Sequence, residues 1–133
     1  MFFYGTLMRG GGLRQRVGID PLISYVSGAT TRGALFDLGP YPAAIRGDGT
    51  LMGELYTIVN PDELLARVDA IEGYVPGNRR ESQYVREAVS VTVDPGSHTL
   101  AWIYFYERPL GDARWIPAGD YRSHVGRRPG TLL

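Results

Sequence analysis

Hydrophobic positions in this chain recur mostly with a period of two, the spacing of strands that bury one face. The strongest case is Tyr84–Val93, where Val85, Glu87, Val89, Val91 and Val93 alternate with Arg86, Ala88, Ser90 and Thr92. Asp94-Pro95-Gly96-Ser97 follows with turn chemistry, and a second apolar run covers Thr99–Tyr106. Tyr84–Tyr106 is therefore expected to be a hairpin. Further strands are expected at Phe2–Tyr4, Leu22–Val26, Thr30–Asp37 and Leu51–Val59.

One segment changes to helical spacing. Asn60 is a good N-cap, Pro61 suits the first helical position, and Asp62 and Glu63 complement the positive end of the helix dipole. Leu64, Leu65, Val68 and Ile71 then share a face, and Gly73 can take the positive φ that ends a helix. Gly10, Gly11 and Gly12 oppose helix by about 1 kcal/mol each relative to Ala, which leaves at most a short helix over Leu13–Val17. Six strands, one clear helix and no regular βαβ alternation predict an α+β fold. The expected form is a mostly antiparallel, curved sheet closed as a small mixed β-barrel with flanking helices. No internal repeat or linker divides the sequence, so residues 1–133 read as a single domain.

Composition then removes whole classes of chemistry. All 14 basic residues are Arg, there is no Cys, and 14 acidic residues bring the net charge to zero. Without Cys there is no thiolate nucleophile or disulfide, and without Lys no Schiff base and no phosphate-loop lysine. A neutral balance argues against a broad nucleic-acid footprint. The apolar runs fall far short of the ~18–20 residues a spanning helix needs, and Met1-Phe2-Phe3 lacks the basic lead of a signal peptide. The expectation is a cytoplasmic protein with no membrane or nucleic-acid partner, as a monomer or homodimer.

Among the residues left, His98 and His124 match no metal-ligand spacing, and no metal or cofactor is expected. GxSxG is absent. Arg9, Arg14 and Arg16 around the triple glycine could contact phosphate or RNA, against the simpler reading of a solvated loop. Glu72 is the more informative candidate. It ends the predicted helix in Val68-Asp69-Ala70-Ile71-Glu72-Gly73-Tyr74, and in an apolar pocket both desolvation and the helix C-terminus would raise its pKa. A carboxylate so tuned can move protons between amines; the alternative is a solvated last-turn residue. Tyr4-Gly5-Thr6-Leu7 is the second candidate. A buried strand breaking at Gly into a polar turn presents backbone N–H groups able to hold a carboxylate or oxyanion.

Together these segments resemble the gamma-glutamylcyclotransferase-like, or AIG2-like, family, and within it the gamma-glutamylamine cyclotransferase branch. The resemblance runs through FYGTLMRG at Phe3–Gly10, GPYPAAI at Gly39–Ile45, GELYTI at Gly53–Ile58, VDAIEGY at Val68–Tyr74, YVREAVSV at Tyr84–Val91 and AWIYFY at Ala101–Tyr106. It implies a small barrel with a cavity at one end, and release of 5-oxoproline from a γ-glutamyl amine or γ-glutamyl amino compound. In that reaction the substrate's own α-amine attacks its γ-carbonyl. The resemblance assigns Glu72 the role of general acid/base and Tyr4, Gly5, Thr6 and Leu7 that of substrate-binding loop, with Tyr84 as a pocket tyrosine. Because the nucleophile belongs to the substrate, such an enzyme needs no Cys, Lys, metal or cofactor. The competing expectation is a non-catalytic, small-carboxylate-binding or regulatory module of the same fold.

Overall fold

The structure is a computed structural model that describes residues 1–10, 12–94 and 96–126. In chain order it contains β1 (Phe2–Phe3), α1 (Gly12–Val17), a 3₁₀ turn (Asp20–Leu22), β2 (Ile23–Asp37), β3 (Pro42–Ile58), α2 (Pro61–Glu72), β4 (Tyr84–Val93), β5 (Ser97–Tyr106), β6 (Arg114–Ile116) and α3 (Tyr121–Gly126). The strands make one sheet in the order β1-β3-β2-β4-β5, with β6 beside the end of β2, and each ladder is antiparallel. This is the α+β class that the alternation predicts.

β2 and β3 set the shape. A hairpin of strands this long accumulates twist, and its register is interrupted between Tyr25 and Ser27 and again between Arg32 and Ala34. The sheet curls until β5 comes back across β1, where the buried Tyr4 hydroxyl donates to the Tyr104 carbonyl at 2.6 Å. Phe2, Leu35, Leu51 and Ile103 fill the interior, and α2 adds Leu64 and Val68, both fully buried.

α2 keeps its predicted limits. Its Asn60 side chain accepts from the Glu63 amide, and Gly73 stops it at φ 65°, ψ 37°, donating its own N–H to Ala70 O. The Tyr84–Tyr106 hairpin also forms, in register from Tyr84↔Tyr106 to Val93↔Ser97; Pro95 of its turn lies outside the described residues.

Other boundaries move. The two strands expected at Leu22–Val26 and Thr30–Asp37 are one strand, because Ser27 and Gly28 pair with Leu55 and Glu54 of β3 and the ladder carries the chain through a polar, Gly-containing stretch. β3 likewise starts at Pro42 rather than Leu51. β6 and α3 occupy a C-terminal stretch in which no element is expected, whereas Arg127 and Arg128 lie outside the described residues. α1 begins at Gly12, one residue before its expected start; Gly11 is not among the described residues.

Candidate active site

The turn after β1, the end of α2 and the start of β4 meet around a cavity of about 130 Å³. Tyr4, Gly5, Thr6, Leu7, Glu72 and Tyr84, six residues from three separate parts of the sequence, all line it. A larger groove of about 680 Å³ elsewhere, lined by Met1, Val26, Leu55, Leu100 and Trp102 among others, is mainly apolar and, among the described residues, is lined by no carboxylate.

The turn is shaped by close packing. A Cβ on Gly5 would lie 2.6 Å from Pro42 Cγ, so only glycine lets the chain pass the start of β3. Met8 N–H donates to Gly5 O at 3.1 Å and closes the turn. Among the described residues nothing accepts a hydrogen bond from the Thr6 or Leu7 amide. Just beyond, buried Glu54 of β3 accepts from Arg9 N (2.8 Å), Arg9 Nε (3.0 Å) and the Tyr56 hydroxyl (2.9 Å). Burial alone would raise the Glu54 pKa, but these hydrogen bonds hold it below the usual carboxylate range. The turn is thus fastened at both ends.

Glu72 faces it under the opposite conditions. Its carboxyl forms no hydrogen bond or ion pair with any other described residue, and burial pushes its pKa up to about 7. One helical turn earlier, Asp69 fixes the helix to the sheet. It accepts from Arg86 Nε at 2.9 Å and Arg86 Nη2 at 3.2 Å, and from the Tyr104 hydroxyl at 2.6 Å. Spacing of i, i+3 puts Asp69 and Glu72 on neighbouring positions of one face, so the neutralised carboxylate anchors the helix and the unneutralised one meets the cavity.

Comparison with known proteins identifies the family and the fold. Residues 1–123 match the family model described as gamma-glutamyl cyclotransferase, AIG2-like. The chain belongs to that family. Its relatives include the gamma-glutamylcyclotransferase family protein YtfP of Escherichia coli K12, 37% identical over 87 residues, which are 65% of this chain and 66% of YtfP. The matched stretch thus spans just under two thirds of that relative. The solution structure of YtfP superposes with a TM-score of 0.64 at 28% identity, covering 93% of this chain and 96% of that one. A mouse AIG2-like protein shares the fold with a TM-score of 0.71 at 21% identity, over 91% of this chain and 86% of its own.

Within this AIG2-like cavity the tyrosines are structural in their hydroxyls. Tyr4 donates to Tyr104 O, and Tyr84 donates to Pro42 O at 2.7 Å. Burial drives both phenols well above their ordinary pKa, so they stay protonated and cannot act as bases. Sequence reasoning gave no role to Asp69, Tyr41 or Gln83. Asp69 was legible as the first acid of D-x-x-E. Tyr41 and Gln83, which line the cavity and join through Gln83 Nε2 to Tyr41 Oη at 2.7 Å, are 42 residues apart and carry no local signal. Pro42, at the start of β3, also lines the cavity.

The three arginines weighed as phosphate contacts against a solvated loop are partly committed elsewhere. Arg9 pairs with Glu54 and stacks on Tyr25, and Arg14 bonds Asp20 and the Tyr56 hydroxyl; Arg16 is exposed. His98 of β5 lies against Thr92 of β4, whereas His124 of α3 lies against Asp37 at the end of β2. No helix of the described residues is long and apolar enough to cross a membrane.

Proposed function

We propose that the protein is a cyclotransferase releasing 5-oxoproline from a γ-glutamyl amine or γ-glutamyl amino compound. The observation that carries this reading is Glu72: an unpaired carboxyl with a pKa of about 7, across a small cavity from the Gly5–Leu7 turn. A base needs a pKa near the working pH to take a proton and give it back, and Glu72 meets that condition through burial.

In this mechanism the Thr6 and Leu7 amides hold the γ-carbonyl oxygen. Glu72 takes a proton from the α-ammonium, and the freed amine attacks the γ-carbonyl carbon, forming the lactam C–N bond. The negative oxygen of the tetrahedral intermediate rests on the amides. Collapse breaks the bond to the leaving nitrogen, which receives the proton from Glu72. The ring nitrogen's second proton ends on the released amine, leaving a lactam N–H and an ammonium product. Attack is intramolecular, so most of the rate comes from holding the glutamyl chain folded. The six lining residues take the roles the resemblance implies: Glu72 as acid/base, Tyr4, Gly5, Thr6 and Leu7 as the binding turn, and Tyr84 as a wall.

Incubation with a panel of γ-glutamyl amines and γ-glutamyl amino acids, with chromatographic detection of 5-oxoproline, tests the proposal. At least one substrate is expected to turn over without added metal. Thermal stabilisation by 5-oxoproline or glutamate, with no turnover of any panel member, would instead establish a binding module.

A further inference from the structure

Most polar groups lining the cavity are already consumed by the fold. The Tyr4 hydroxyl is spent on Tyr104 O, that of Tyr84 on Pro42 O and that of Tyr104 on Asp69. Among the described residues no arginine or histidine lines the cavity. What remains beside Glu72 and Thr6 is the pair Gln83 and Tyr41.

That pair is rigidly built. Gln83 N donates to Gly73 O at 2.9 Å and Gln83 O accepts from Glu107 N at 2.9 Å, so its backbone is tied both to the end of α2 and to the end of β5. Ser82 before it is buried, and its hydroxyl bonds Asn78 O and the Val75 amide, which fixes the approach from the loop. The side chain is held as well: Nε2 donates to Tyr41 Oη at 2.7 Å, and the Tyr41 ring packs edge-on against Tyr84 with centroids 6.3 Å apart. Gln83 Oε1 is left over. It accepts from no other described residue, and it lies against the residue next to Glu72, 3.5 Å from where a Cβ on Gly73 would stand.

We propose that Gln83 is a substrate-binding residue that holds the α-amino group beside Glu72 through its Oε1, with Tyr41 as the positioning residue that sets the carboxamide's orientation. This deepens the cyclotransferase reading and rests on it. An ammonium has three N–H groups and is held best by more than one acceptor. Glu72 supplies one and must let go of the proton it takes. A neutral amide oxygen accepts without competing for that proton, so it keeps the amine in place, with its lone pair aimed at the γ-carbonyl, through the transfer. Tyr41 contributes by receiving the Nε2 hydrogen bond: without it the carboxamide can rotate and present N–H to an ammonium, which repels it.

The test compares two ligands on two variants. One ligand is a γ-glutamyl amine; the other is the matching glutaric acid monoamide, identical but for the missing α-amine. Gln83→Leu is expected to raise KM for the γ-glutamyl amine about tenfold or more, the size of one hydrogen bond to a charged group, while affinity for the monoamide changes less than twofold. Tyr41→Phe is expected to move KM in the same direction by about threefold. The Glu72-dependent limb of the pH profile should keep its midpoint in both. Equal loss of both ligands in Gln83→Leu, or no loss of either, overturns the assignment. Should the wild-type protein turn over nothing, the cyclotransferase reading fails. Calorimetry with the two ligands on the wild-type protein and on Gln83→Leu then decides the role of Gln83 separately, with selective loss of the amine-bearing ligand expected.

Discussion

Glu72 and Asp69 are three residues apart, and each is put to use by what surrounds it. Asp69 has Arg86 on both its oxygens; Glu72 has no cation among the described residues and, at about 7, shares its proton with solvent at neutral pH. This has a sign for stability. A carboxyl raised from 4.5 to about 7 in the folded state is uncharged in both states below about pH 4.5, so no penalty exists there. The cost appears as pH rises through the window from 4.5 to 7 and stays constant above it. Glu72→Gln is therefore expected to stabilise the protein at pH 8, by up to about 3 kcal/mol, and to be near neutral at pH 4. Chemical denaturation at the two pH values measures it, and an equal effect at both would mean that Glu72 titrates as an ordinary surface acid. For the same reason, the proposed mechanism predicts that kcat/KM of the wild-type protein rises with pH up to about 7, where Glu72 loses its proton, and then levels off.

At the scale of elements, two joints hold the site. Gly5 passes Pro42 without room for a methyl group, so Gly5→Ala should cost about 1–3 kcal/mol by overpacking and displace the Gly5–Leu7 turn; a thermal melt and an activity assay report both effects. Asp69 joins α2 to β4 and β5. Asp69→Ala strands the Arg86 guanidinium in a largely buried position, for a predicted loss of about 3–5 kcal/mol. Asp69→Asn, which keeps the Tyr104 contact, should cost less. α2 was the most legible element, because cap, proline, apolar face and terminal glycine all agree over residues 60–73. β2 was the least. Ser27-Gly28 looks like a break in sequence and is a strand in the fold, since the backbone ladder to Leu55 and Glu54 is indifferent to those side chains.

For the whole molecule, curling of one antiparallel sheet brings residue 4 to residue 104 and residue 41 to residue 83, and closes the cavity against the end of α2. Local pattern gives the strands and the helix, and the D-x-x-E and YGTL segments stand out by their residue types. Contacts between distant strands leave no such mark, which is why Glu72 and Tyr4–Leu7 could be singled out from sequence whereas Gln83 and Tyr41 could not. The lack of Cys and Lys is consistent with a reaction whose nucleophile arrives with the substrate. The most direct measurement is 5-oxoproline release by the wild type and by Glu72→Gln, side by side at pH 8, on a γ-glutamyl amine. A loss of about 10²–10⁴-fold in kcat with KM little changed is predicted, the range for removal of a general acid/base. Full turnover by Glu72→Gln, in a protein that still binds substrate, would contradict the role given to that carboxylate.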